Sequence, residues 1–235
     1  MKRQPLKGLI LYLFFSAKGH LMMTFVLVLF FAIFFLVTGA TPMFGFVSIN
    51  FIATFSVLGS ASEDKANRWE KFQLSMPIRR KDVITAKYTF YLMMTIIALV
   101  MTILIVMIAH LFDSLNIVEY GSFALGGIEP VMEFIHTFAS PTQITMNVTL
   151  ISLGTALLTC ALYYPLAYTI FKGKEELLVI IVFLGNFAVV GFLMWLGSRL
   201  DLSFNQIAIF NVIAPLILLG LSYLFTVKMY EKLDV

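Results

Sequence analysis

The segment Arg79-Arg80-Lys81-Asp82-Val83-Ile84-Thr85-Ala86-Lys87 runs straight into Tyr88–Phe112, YTFYLMMTIIALVMTILIVMIAHLF. The second part carries no Asp, Glu, Lys or Arg. A helix rises about 1.5 Å per residue and the hydrocarbon core of a bilayer is about 30 Å thick, so about 20 apolar residues cross it. Tyr88–Phe112 is long enough to cross, and the cations before it mark the side from which it starts. Five further stretches meet the same criterion: Leu21–Val37, Met43–Gly59, Ile144–Phe171, Leu177–Gly197 and Ile207–Val227. The sequence therefore predicts an all-α membrane protein with six transmembrane helices, forming one transmembrane domain over residues 1–235.

Composition agrees. Apolar residues make up 60% of the chain and charged residues 12%, against about 25% charged in soluble domains. A soluble fold of this length cannot enclose so much apolar surface, whereas lipid lets the outside be apolar too. The 24 Phe and 13 Met suit lipid-facing and helix-packing surfaces. The one cysteine, Cys160, allows no internal disulfide. The run Leu21–Val37 is long for a secretory h-region, and Thr38-Gly39-Ala40 is a poor cleavage site, so a cleaved leader is not expected.

Orientation follows from the loops. Lys2, Arg3, Lys7, Lys18, Lys65, Arg68, Lys71, Arg79, Arg80, Lys81, Lys87, Lys172, Lys174, Lys228 and Lys232 all fall in residues 1–20, 60–87, 172–176 and 228–235. The other side holds Arg199, and its long loop 113–143 holds Asp113, Glu119, Glu129 and Glu133. Basic loops stay inside, which puts both termini in the cytoplasm and makes the protein a multi-pass plasma-membrane protein. The first two spans meet in a tight outer turn, Thr38-Gly39-Ala40-Thr41-Pro42, and Pro165 is expected to kink the overlong fourth span.

Leu6, Leu9, Ile10 and Leu13 recur at helical spacing among cations. Residues 1–20 accordingly read as an interfacial elbow helix on the inner leaflet. The alternative is an inward extension of the first span. In the 113–143 extracytoplasmic loop, Pro130 can open a short helix over about 130–139, with Val131, Phe134, Ile135 and Phe138 on one face. His136 and Glu133 are too few ligands for a metal site.

Between spans two and three lies a cytoplasmic segment, residues 61–82. Ser62 can cap a helix whose first turn carries Glu63 and Asp64. Ala66, Trp69, Phe72 and Met76 share one face, Lys65, Arg68, Lys71 and Glu70 surround it, and Pro77 ends it. Arg79-Arg80-Lys81 form a basic turn, and Asp82 can cap the next helix. A purely lipid-binding helix would not mix Glu63, Asp64 and Glu70 with the cations. A mixed-charge helix with an aromatic face suits a groove on a protein partner.

From Glu63 to Tyr88 the chain resembles the first cytoplasmic loop of ABC transporter permeases of the type 2 exporter class, in their compact bacterial form. The similarity rests on Glu63-Asp64, Trp69-Glu70-Lys71-Phe72, Ser75-Met76-Pro77-Ile78-Arg79 and Ala86-Lys87-Tyr88, in that order between two spans. It implies a permease that pairs with a second copy or a paralogous permease and binds cytoplasmic ABC ATPase subunits. The coupling helix would then be carried by Glu63, Asp64, Arg68, Trp69, Glu70, Phe72, Met76, Pro77 and Arg79. ATP and magnesium would be held by the partner ATPase, with no cofactor in this chain. One departure stands out. Better-known members place a re-entrant element between the last two spans; here Ser198–Gln206 is short and the large outer loop joins spans three and four.

Catalytic chemistry is not expected. Gly173-Lys174 lacks the earlier glycine of a phosphate loop, Tyr168 standing there, and neither a His-Glu-x-x-His nor a Gly-x-Ser-x-Gly motif occurs. Glu175-Glu176 lacks the Arg of membrane proteases, Ile180 standing in its place. Asn50 with Thr54, and Asn186, sit near mid-membrane. They read either as interhelical hydrogen-bond partners or as a polar patch on a substrate path. Tyr163-Tyr164-Pro165 and Asn211 with Pro215 read in the same two ways. The spans carry no ionised residue at their middle, which disfavours an ion-coupled secondary transporter; a non-transporting immunity or assembly protein is the other rival. The apolar spans and the outer loop point to a hydrophobic or amphipathic substrate such as a peptide, toxin or antibiotic, and no nucleic-acid partner is expected.

Overall fold

The computed structural model describes residues 5–38, 44, 47–57, 78–114, 141–171, 174–200 and 202–231. They form six helices and no strand: α1 (Pro5–Thr38), α2 (Val47–Val57), α3 (Arg80–Ser114), α4 (Pro141–Thr169), α5 (Glu175–Arg199) and α6 (Phe204–Glu231). All but α2 are long and apolar enough to cross a membrane. Each coincides with an expected span. The second span, expected over Met43–Gly59, is described only as the shorter α2. Residues 61–77 and the loop 115–140, with its expected helix at 130–139, lie outside the described residues.

The elbow expectation needs correction. Residues 5–20 and the first span form a single helix of 34 residues, about 51 Å long at 1.5 Å per residue. The physical reason is a stripe. Leu9, Leu13, Ala17, Leu21, Thr24, Val28 and Ala32 are all buried, at steps of four or three residues. The face that begins at Leu9 therefore continues in register through Lys18-Gly19-His20. No proline intervenes to break it. The Leu6–Leu13 periodicity was the beginning of a packing face, not a separate surface face. Phe14 meets Phe90 of α3 edge-on, ring centroids 5.1 Å apart.

Asp82 also differs from expectation. Helix α3 already begins at Arg80, so Asp82 stands inside its first turn, its N–H bonded to the Arg79 carbonyl at 2.8 Å. There it faces the positive end of the helix dipole rather than capping it. Pro165 and Pro215 both lie within continuous helices. The turn between α5 and α6 is tight: Ser203 and Gln206 form a reciprocal capping box at 2.9 and 3.3 Å.

The bundle has an inside and an outside of unusual kinds. Helix α4 is mostly enclosed, and α4 with α6 is the most extensive helix pair. Every described side chain of α2 is buried or half-buried. This short helix touches α1 through Phe51 and Phe31, with ring centroids 5.9 Å apart. It also bonds α3 and α4. By contrast α1, α3, α5 and α6 turn broad apolar faces outward, including Phe15, Met22, Met23, Ile96, Leu184, Phe210 and Leu221. Water would penalise that surface by about 25 cal/mol per Å², and lipid removes the penalty.

Candidate functional site

The apolar interior of this bundle contains polar groups that are uncharged. Among the described residues, the buried polar side chains other than tyrosine are Ser, Thr and Asn without exception: Thr24, Ser48, Asn50, Thr54, Ser56, Thr95, Thr102, Asn147, Ser152, Thr155, Thr159, Asn186, Asn211, Ser222 and Thr226. Four of them, Asn147, Ser152, Thr155 and Thr159, lie along α4. The Thr155 hydroxyl donates to Asn50 Oδ1 at 2.9 Å and lies 2.9 Å from the Ser152 carbonyl. One turn on, Thr159 donates to the Thr155 carbonyl at 3.0 Å and accepts from the amide of Asn186. The two mid-membrane asparagines, far apart in sequence and on different helices, thus bond to neighbouring turns of α4. Thr155 ties α2 to α4, and Thr159 ties α5 to α4. Ser48 and Thr102 share a third bond, 2.6 Å, between α2 and α3. Interhelical bonds of this kind contribute about 0.6–2 kcal/mol each.

Two polar atoms of this seam have no hydrogen-bond partner among the described residues: Thr54 Oγ1 and Asn186 Oδ1. Each was singled out by sequence. A buried, unsatisfied polar atom costs about 1–3 kcal/mol, so the seam keeps hydrogen-bonding capacity that its own packing does not use.

Helix α6 joins the seam at Asn211, whose amide donates to the Ile151 carbonyl at 2.8 Å. Pro215, one turn later, has no N–H for the Asn211 carbonyl. That carbonyl lies against Gly154 of α4, so closely that a Cβ at Gly154 would overlap it.

A second constellation occupies the end of the bundle where α3 starts and α4 and α6 finish. Arg80, Lys81, Lys87, Lys174 and Lys228 gather at this end, while Arg199 closes α5 at the other end, stacked on Trp195 at 5.7 Å. Tyr88 is its centre. Its hydroxyl lies 2.7 Å from Ser222 Oγ and 3.1 Å from Thr226 Oγ1. Its ring packs on Tyr164 at 4.8 Å and on Tyr223 at 5.5 Å. The Tyr164 hydroxyl donates to the Lys87 carbonyl at 3.2 Å, and Thr85 Oγ1 meets the Tyr223 hydroxyl at 2.9 Å. The Lys87 ammonium stands 5.7 Å over the Tyr168 ring, which packs on Tyr230. Arg80 Nη1 donates to the carbonyls of Glu231 and Tyr230 at 3.1 and 3.5 Å. A cation on the last carbonyls of α6 complements the negative end of its dipole.

Of the sequence-derived coupling residues, Glu63, Asp64, Arg68, Trp69, Glu70, Phe72, Met76 and Pro77 lie outside the described residues. Arg79 is described: it is exposed and immediately precedes α3. Asn50, Thr54 and Asn186 are all buried in the seam. Sequence reading missed Thr155 and Thr159, and it left the tyrosines of this junction unassembled. The recurrence of hydroxyls at 152, 155 and 159 was a visible signal; the partners across helices were not.

Fold and seam together define a polytopic helical membrane protein with a neutral, hydrogen-bonding interior. The chain matches the family described as "ABC-2 family transporter protein" over residues 8–231. It therefore belongs to the ABC-2 family and is a membrane permease of that transporter type, without ATPase activity of its own. No curated protein and no solved structure matches the chain.

Proposed function

We propose that the chain is the permease half of an ATP-driven exporter in the bacterial plasma membrane. It moves hydrophobic or amphipathic peptides, toxins or antibiotics outward. It works beside a second permease copy or a paralogue, and each permease docks a cytoplasmic ABC ATPase through residues 61–82. The ATPase holds ATP and magnesium. Family membership favours ATP-driven over ion-coupled transport. The observation that carries the substrate class is the uncharged seam. A path of hydroxyls and amides between apolar walls accepts a molecule with scattered polar groups and a large apolar surface. It offers no counter-charge to a small ion. Asn50, Thr54 and Asn186 are the residues of this path, and the unused capacity of Thr54 and Asn186 supports that role.

The test is ATP hydrolysis by the permease–ATPase complex in proteoliposomes, with amphipathic peptides, lipids and sugars offered in turn. Stimulation by the peptides is expected. Stimulation by a sugar with no response to peptides refutes the substrate class. Orientation is tested separately. With Cys160→Ala as background, a cysteine at Glu70 should react with an impermeant maleimide only from the cytoplasmic side, and one at Leu125 only from outside. Outside labelling at position 70 reverses the topology.

A further inference from the structure

We infer that Arg80 and Tyr88 are positioning residues that bind the base of α3 to the ends of α4 and α6, so that these three helix ends move as one block when the ATPase displaces the coupling segment. The inference rests on the docking of an ATPase on residues 61–82.

The argument is mechanical. Residues 61–82 lead directly into α3, so any pull on that segment reaches the bundle first at Arg80. A helix end held by one contact would pivot there. This one is held at successive turns: Arg80 on the last carbonyls of α6, Thr85 on Tyr223, Lys87 on Tyr164 and Tyr168, and Tyr88 on Ser222 and Thr226. Contacts spread over more than two turns resist rotation as well as separation. Tyr91 extends the tie inward, donating to the Ala156 carbonyl at 2.6 Å. In the seam, side-chain bonds at Thr155 and Thr159 also join α2 and α5 to α4. The base of α3 is therefore fixed to α4 and α6 at several successive points of the tyrosine junction. A displacement entering at Arg80 is passed through these bonds to the ends of α4 and α6.

Cys160 reports on this block without engineering. It is buried on α4, one turn before Tyr164. The experiment uses the whole permease–ATPase complex in proteoliposomes and follows N-ethylmaleimide labelling of the permease band, with magnesium-ATP or magnesium-ADP. Wild-type Cys160 should stay protected with both nucleotides. Tyr88→Phe keeps the ring and removes the hydroxyl, and Arg80→Gln removes the charge. Tyr88→Phe should label about tenfold faster during ATP turnover, the scale set by losing one buried hydrogen bond, and Arg80→Gln, whose bonds lie at the surface, faster by a smaller factor, with no change of either in ADP. Arg80→Lys should return toward wild type. Faster labelling of the wild type in ATP overturns the block. Faster labelling of Tyr88→Phe with both nucleotides reduces Tyr88 to a packing residue and overturns its positioning role. Full protection of both variants in ATP overturns it as well. If the wild-type permease retains no ATPase at all, the docking reading has failed and this inference falls with it, a result visible before any labelling.

Discussion

A Gly154→Leu permease is expected to yield no monodisperse protein after extraction, and Gly154→Ala is expected to lose about 3 kcal/mol of stability, the upper part of the range for overpacking a core. The clash is with backbone. The Asn211 carbonyl that a Cβ would strike cannot rotate away, because it belongs to the α6 main chain. The same α6 turn is also pinned to α4 by the Asn211–Ile151 bond. Relief requires α6 to move off α4 along the most extensive helix pair in the bundle. Two other glycines serve as controls. At Gly197 a Cβ would meet the end of the Ile207 side chain, which can swing aside, so Gly197→Ala should cost less than about 1 kcal/mol. Around Gly185 nothing lies within 4 Å, and Gly185→Ala should be neutral or stabilising by about 0.5–1 kcal/mol through helix propensity. Thermal unfolding in detergent ranks the three. If Gly154→Ala proves as mild as Gly185→Ala, the close approach of α4 and α6 is wrong.

Trp69→Ala should weaken binding of the ATPase by about 30-fold, as loss of a buried aromatic anchor costs about 2 kcal/mol. Glu70→Lys should act in the same direction by reversing a charge beside that anchor. Both positions belong to the segment proposed to dock the ATPase, so the permease itself should extract and unfold like the wild type. Retention of the ATPase on affinity-tagged permease, measured across a salt series, reads both. Undiminished retention by both variants removes the coupling role from residues 61–82, and with it the route by which force reaches Arg80. The substitutions at Trp69 and Glu70 should weaken the complex with the bundle intact, whereas those at Gly154 should destabilise the bundle itself.

Much of the fold was legible in the chain because hydropathy is a local property. Tyr88–Phe112 announces a crossing without reference to any other segment, and α3, α4, α5 and α6 lie where their apolar runs do. The elbow misled for an instructive reason. Leu6, Leu9, Ile10 and Leu13 satisfy an interfacial helix and the first turns of a long span equally well. Only the continuation of the buried stripe through Ala17, Leu21 and Thr24, against α3, separates the two. Asn50 and Asn186 were recognised because an amide in hydrocarbon is conspicuous anywhere. Their common dependence on Thr155 and Thr159 was not visible, since nothing in the sequence of α4 names which helices stand beside it.

The sequence alone determined that this protein lives in a membrane, where its long apolar helices lie and which stretches of chain carry the cations. These follow from the cost of burying charge in lipid and from the helical period, both of which act residue by residue. The tertiary structure decided the rest. It enclosed α2 and α4 and left four helices facing outward. It set the Asn211 carbonyl, freed by Pro215, against the one glycine of α4. It gathered tyrosines from α4 and α6 around Tyr88 of α3. Those choices depend on which surfaces meet across long sequence separations, where close packing tolerates one arrangement and excludes its neighbours.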